Sequence, residues 1–147
     1  MHASLANLSS RPLIALLAFA AWALILAASI LLVRTTLVLL GKKRANEFPS
    51  GIQHGGDVYW RLNRAHVNTL ENLPIFAAIV LAGAALGVSS PTLARLAEAI
   101  VVARVLQSSF HLLSGRSLVV ILRATSFTVQ LAGMSFMIVE TIRLCLP

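Results

Sequence analysis

A single cysteine, five acidic residues and one tyrosine stand in a chain of 147 residues. The lone Cys145 excludes an intramolecular disulfide framework, a CxxC redox pair and a cysteine zinc site, and with them a quinone-coupled disulfide oxidoreductase. Charge of either sign is scarce: Asp, Glu, Lys and Arg make up 12% of the chain and 58% is hydrophobic, against about 25% charged and about 45–50% apolar in a soluble domain. So little polar surface cannot cover a fold in water, and the mean hydropathy of +0.86 marks a membrane protein. Twelve Lys plus Arg leave a net charge of +7. Nucleic-acid binders gather such charge on a polar domain; here the cations sit mainly at the ends of apolar runs, the pattern of membrane topology.

Four predominantly apolar stretches, 13–40, 67–86, 96–113 and 118–142, each approach or exceed the roughly 18–20 residues that cross about 30 Å of hydrocarbon. With their flanks they predict helices over about 13–40, 64–86, 92–113 and 118–143, an all-α integral membrane bundle forming one domain over 1–147. The first apolar run, Leu13 to Val33, is longer than the roughly 7–15 residue core of a cleavable signal, so it is expected to stay as an anchor. Residues 41–63 hold Gly41, Pro49, Gly51, Gly55, Gly56 and most of the strongly polar side chains, and read as the one substantial loop. The other connections, Gly87 to Thr92 and Ser114 to Ser117, are tight, with Pro91 placed as an early helix residue after the capping candidates Ser89 and Ser90. Gly83 and Gly87, at GxxxG spacing beside Ala84 and Ala85, read as close helix packing.

Lys42, Lys43, Arg44, Arg61, Arg64 and Arg116 flank the first and third loops, whereas Arg11, Arg95 and Arg143 flank the opposite side. The positive-inside rule then places loops one and three, including 41–63, in the cytoplasm and both termini across the membrane. Arg34, Glu71, Arg104 and Arg123 remain inside the spans, where an ionisable group costs at least about 2.5–3.5 kcal/mol on insertion scales. At about 1.5 Å per residue all four lie roughly 10–15 Å from the same end, a depth expected of one shared polar cavity. Helical phase agrees: Arg61, Arg64, Asn68 and Glu71 share a stripe, as do Arg104, Gln107, Ser108 and His111, and Arg123, Phe127, Gln130 and Met134.

Two readings of these charges stand at this point. Glu71 pairs with Arg104 or Arg34 only to neutralise buried charge, or three arginines facing one carboxylate accept an anion. Arg34 alone needs neither, because its stem can snorkel to the headgroups. Guanidinium forks match carboxylates and phosphates, Glu71 suits an ammonium, and Asn68 suits an amide or carbonyl. Glutathione, with two carboxylates, one ammonium and two amides, satisfies that set, as other small anions would in part.

The segment RAHVNTLENLPIF, Arg64 to Phe76, resembles the RAxxNxxE…P motif of the MAPEG family, membrane-associated proteins in eicosanoid and glutathione metabolism, and is most similar to its microsomal glutathione S-transferase branch. Ala103 to His111 resembles that branch's ARxxHxxxY, and Arg123-Ala-Thr-Ser-Phe127 its RAxSF. The resemblance implies a homotrimer of four-helix subunits with glutathione between neighbours. It further implies that Arg64, Asn68 and Glu71 hold the tripeptide backbone, that Arg104 is a structural or ligand-contacting cation, and that Arg123 lies near the sulfur. Gln107 stands where the family often has His, and His111 where it often has Tyr, so polar contacts to the tripeptide are altered. Phe127 in place of Tyr and Ala124 in place of Ser disfavour prostaglandin synthesis.

The expected activity is therefore a glutathione transferase or peroxidase acting on lipophilic electrophiles that arrive from the bilayer. The catalytic candidates are Arg123, which favours thiolate over thiol, and Ser126 or Thr125, whose hydroxyl is a hydrogen-bond donor to sulfur unless it bonds back to its own helix. The binding candidates are Arg64, Asn68, Glu71, Arg104, Gln107, His111 and Phe127. No metal or nucleic-acid site is expected, and His66, facing away from the polar stripe, disfavours haem. The alternative class is a non-catalytic membrane binding or assembly protein of the same architecture. A small multidrug-type transporter is disfavoured, since no glutamate lies between Leu13 and Leu40.

Overall fold

In the computed structural model, which describes residues 2–49, 51–113 and 117–146, four helices follow one another: α1 (His2–Leu39), α2 (Asp57–Ala85), α3 (Pro91–Leu113) and α4 (Ser117–Cys145). No strand occurs among the described residues. α3 and α4 begin and end within one or two residues of the sequence expectation, and Ser90 caps α3 as expected, its Oγ accepting from the Thr92 amide at 3.2 Å with Pro91 as the first helical residue. Arg116, one of the cations counted for orientation, lies outside the described residues.

Two starts differ from expectation. α1 runs back through Pro12 to His2 rather than beginning at 13, because Ala3, Leu5, Ala6 and Leu8 are strong helix formers even without an apolar run. α2 begins at Asp57 rather than 64, which shortens the loop to 40–56. Its first two turns are polar in composition, yet Tyr59 and Leu62 are buried against Leu26 and Ile30 of α1, and Asp57 suits the positive end of the helix.

α3 packs against all three other helices and most extensively against α4; α1 and α4 do not meet among the described residues. α1, α2 and α4 are each long and apolar enough to cross a membrane; α3 carries Arg95, Glu98 and Arg104 within its 23 residues. Of these, Arg104 is buried among the other helices, whereas Arg95 is exposed and Glu98 is part-exposed. Arg11 of α1 makes a two-pronged ion pair with Glu98, both contacts 2.8 Å, and ties α1 to α3 near the Gly87 end. That end holds the apolar core, where Phe19, Phe76, Val80, Leu93, Ala97, Ile100, Met134 and Met137 are buried together. Gly83 faces Thr141 of α4, so α2 and α4 touch there; Gly87, at φ 67°, instead terminates α2. The GxxxG pair thus splits into one packing residue and one helix stop.

Candidate functional site

α2 and α4 converge at Gly83 and Thr141 and have little further contact, so toward the 40–56 loop a cleft opens between them with α3 as its floor. It encloses about 260 Å³ and is lined by Asn68 and Glu71 of α2, Gln107 of α3, and Val120, Arg123, Ala124 and Phe127 of α4. Five of the residues singled out from sequence, Asn68, Glu71, Gln107, Arg123 and Phe127, therefore share one cleft on the outer side of the bundle.

The remaining candidates surround it at different depths. Arg64 is exposed on α2, and Arg104 is 1% exposed in the bundle interior, its guanidinium carbon 5.6 Å from the centroid of the Phe19 ring. His111 is buried behind Asn68, with the Asn68 amide nitrogen 3.2 Å from its Nε2. Ser126 does not line the cleft; its hydroxyl donates to the Leu122 carbonyl at 2.8 Å, so its one proton is engaged within α4.

Sequence periodicity gave Gln130 no more than a place on the α4 stripe, yet it is fully buried and holds α4 to α3. Its Nε2 donates to Gln107 Oε1 at 2.9 Å and to the Ser126 carbonyl at 2.9 Å. Thr69 and Ser108 approach at 3.5 Å across α2 and α3. Each of these hydroxyls donates its proton within its own helix, to Ala65 and Arg104, so the links that join the helices under the cleft are Asn68–His111 between α2 and α3 and Gln107–Gln130 between α3 and α4.

The charge balance is uneven. Arg61, Arg64 and Arg123 lie close enough for their charges to act on the His111 ring, and Glu71 is the carboxylate that acts on Arg104. Among the described residues none of these four arginines has a carboxylate within 4.0 Å; the ion pairs formed are Arg11 with Glu98 and Arg143 with Glu140. The pairing of Glu71 with Arg104 or Arg34 offered by the sequence is therefore not made at ion-pair distance. Nε of Arg61 and of Arg123, Nε and Nη2 of Arg104 and Nδ1 of His111 are buried without a hydrogen-bond partner among the described residues. A cleft that holds an arginine with a free buried donor, a carboxylate and two side-chain amides can take an anion that also carries an ammonium or amide group.

Comparison with curated proteins and with solved structures returned no match. The MAPEG family model matches residues 12–143, from the start of the first apolar run to the last turns of α4, and contains every residue of the cleft. The chain belongs to the MAPEG family.

Proposed function

We propose that this protein is a membrane-embedded glutathione transferase or peroxidase that delivers glutathione thiolate to lipophilic electrophiles. The observation that carries the reading is the cleft itself: Arg123 and Glu71 line it together with Asn68 and Gln107, the Arg123 Nε is buried without a hydrogen-bond partner among the described residues, and Phe127 and Val120 supply an apolar wall on the side of α4. In this reading Arg64, Asn68 and Glu71 hold the tripeptide, with Glu71 on its ammonium and Arg64 on a carboxylate. Gln107 and His111 set the shape of the floor, and Arg104 supplies positive potential from within the bundle.

Arg123 acts on the sulfur. A free thiol has a pKa near 8.5, and a guanidinium beside it favours the thiolate. With the Ser126 proton engaged at Leu122, this work falls to Arg123. With an aryl chloride the thiolate forms the carbon–sulfur bond, chloride leaves with the bonding pair, and the thiol proton passes to solvent. The outward-facing cleft suits a substrate that arrives sideways from the bilayer. The reading extends to a homotrimer that closes the cleft with a neighbouring subunit, and to a cytoplasmic position for the 40–56 loop.

Conjugation of glutathione to 1-chloro-2,4-dinitrobenzene by the purified protein in detergent tests the proposal, with Arg123→Leu beside it. Turnover is expected in the parent and a loss of about 100-fold or more in the variant, the usual weight of one group that stabilises developing charge. Activity indifferent to Arg123→Leu would remove the thiolate assignment. A second reading, a binder without turnover, is favoured by one feature: Gln107 is tied to Gln130 and His111 to Asn68, so each of these groups already has one polar atom engaged within the bundle. Glutathione-dependent thermal stabilisation without turnover selects that reading; neither response defeats both.

A further inference from the structure

Away from the cleft, α1 and α3 pack side by side and run in the same direction: Arg11 of α1 meets Glu98 of α3, and further along Phe19 meets Arg104. Between them lies a furrow of about 330 Å³, walled by Ile14, Ala15 and Ala18 of α1 and Val102 of α3, with Arg11 and Glu98 at its outer end. Arg11, Ile14, Ala15 and Ala18 recur on one stripe of the helix, and the two alanines leave the depression. The apolar run of α1 starts at Leu13, just beyond Arg11, so this wall lies on the bilayer side of the ion pair and continues roughly 10 Å along the helix to Ala18. The pair itself is not used up. Arg11 Nε and Nη2 each donate to one Glu98 oxygen at 2.8 Å, and the two side chains remain 38% and 46% exposed. A guanidinium has five N–H donors and a carboxylate about four acceptor sites, so both partners keep free groups at the mouth of the furrow. Arg95, one turn earlier on α3, does not line it; its Nε turns back to the Pro91 carbonyl at 3.3 Å. The proposed reaction uses neither Arg11 nor Glu98.

A cation and an anion fixed side by side above an apolar furrow match a zwitterion with a tail. A soluble zwitterion would meet the pair and leave the furrow uncovered. An anionic headgroup would bring its phosphate to Arg11 and offer Glu98 no cation. Phosphatidylcholine carries its positive charge beneath methyl groups, which cannot donate to a carboxylate. A headgroup that ends in a primary ammonium meets every part: its phosphate oxygens accept from the free N–H groups of Arg11, its ammonium donates to Glu98, and an acyl chain follows Ala15 and Ala18 toward the middle of the bilayer. We propose that Arg11, Glu98 and the furrow between α1 and α3 hold one phospholipid of the phosphatidylethanolamine type, in the leaflet at the Gly87 end. The headgroup then sits where the apolar run of α1 begins, and the lipid bridges the two helices that the ion pair already joins.

Delipidated full-length protein in detergent is given phosphatidylethanolamine, phosphatidylcholine, phosphatidylglycerol or free phosphoethanolamine, and retention is read by native mass spectrometry with melting temperature and oligomeric mass alongside. Phosphatidylethanolamine should be retained about fivefold or more over the other two lipids, the weight of roughly one hydrogen bond, and should raise the melting temperature. Glu98→Gln removes the charge that receives the ammonium and should bring phosphatidylethanolamine down to the level of phosphatidylcholine. Ala18→Phe fills the furrow and leaves the ion pair in place; the lipid-free protein should melt as the parent does while retention of phosphatidylethanolamine falls severalfold, which a purely structural role for the ion pair does not explain. Should Glu98→Gln fail to fold, Ala18→Phe decides alone. Equal retention of phosphatidylethanolamine and phosphatidylcholine, or unchanged retention in Ala18→Phe, overturns the site. A stabilisation by phosphoethanolamine equal to that of the whole lipid overturns the lipid as its occupant, and a smaller oligomer in Ala18→Phe with no lipid displaced makes the furrow a contact between copies instead.

Discussion

Toward the Gly87 end of the bundle α2, α3 and α4 meet through Phe76, Ile79, Val80, Ile100, Met134 and Met137; toward the 40–56 loop the same helices meet through Asn68, Gln107, His111 and Gln130, with Arg104 and Arg123 close by. The apolar end lets α2 and α4 touch at Gly83 and Thr141, while at the polar end they stand apart around a cleft. In lipid the apolar end gains little from the hydrophobic effect, so its cohesion comes from close packing. The polar end is held by hydrogen bonds that fix orientation and leave donors over. One end is therefore built for stability and the other, on the proposed function, for a ligand, and substitutions should separate the two.

The largest contrast is expected between two phenylalanines. Phe76 is fully buried with its ring centroid 5.4 Å from that of Phe19, whereas Phe127 is 38% exposed on the cleft wall. Phe76→Ala should cost about 3–5 kcal/mol of stability, because the packed end cannot collapse around the missing ring. Phe127→Ala should stay within about 0.5 kcal/mol, as surface changes do, while altering turnover of bulky electrophiles. Unfolding in mixed micelles measures the first and steady-state kinetics the second. Comparable destabilisation by both would erase the division between the ends.

Next in size is the amide pair beneath the cleft. Gln107→Leu removes the acceptor of Gln130 Nε2, which keeps its bond to the Ser126 carbonyl; a loss of about 0.6–1.7 kcal/mol is expected, the range of interhelical hydrogen bonds in membranes. Adding Gln130→Leu should cost much less than Gln130→Leu alone, because the shared bond is already gone. Strict additivity in that cycle would mean the two amides do not act together.

Much of this division is legible in the chain. The period of Arg104, Gln107, Ser108 and His111 placed one face of α3 correctly, and all four are buried. On α4 the same rule grouped Arg123, Phe127, Gln130 and Met134, which in the structure divide between cleft and core, since a straight stripe turns from one neighbour to another along a splayed helix. What periodicity cannot carry is pairing between distant segments. Arg11 and Glu98, 87 residues apart, read from sequence as a flanking cation and an unassigned acid, yet they join α1 to α3. Arg34, left to snorkel in the sequence reading, is instead taken by Tyr59, which belongs to the polar first turns of α2 that composition assigns to a loop.

The remaining contrast, between two glycines, tests how the apolar end closes. Gly83 and Gly87 have the spacing of a packing motif, and on that reading alanine at either position should loosen the helices alike. The structure gives them different tasks. A Cβ on Gly83 would meet Thr141 at 3.9 Å, an ordinary contact, in the interior of α2; Gly83→Ala should raise stability by up to about 0.5–1 kcal/mol, the usual gain from removing a mid-helix glycine. A Cβ on Gly87 would meet nothing within 4 Å, but φ is +67°. There an L-residue costs roughly 1–2 kcal/mol, so Gly87→Ala should lower stability although it has more room. Opposite signs in the unfolding midpoint would confirm that α2 and α4 close on one glycine and that the other only stops the helix. A loss from both would mean that the two together form the contact from which the cleft opens.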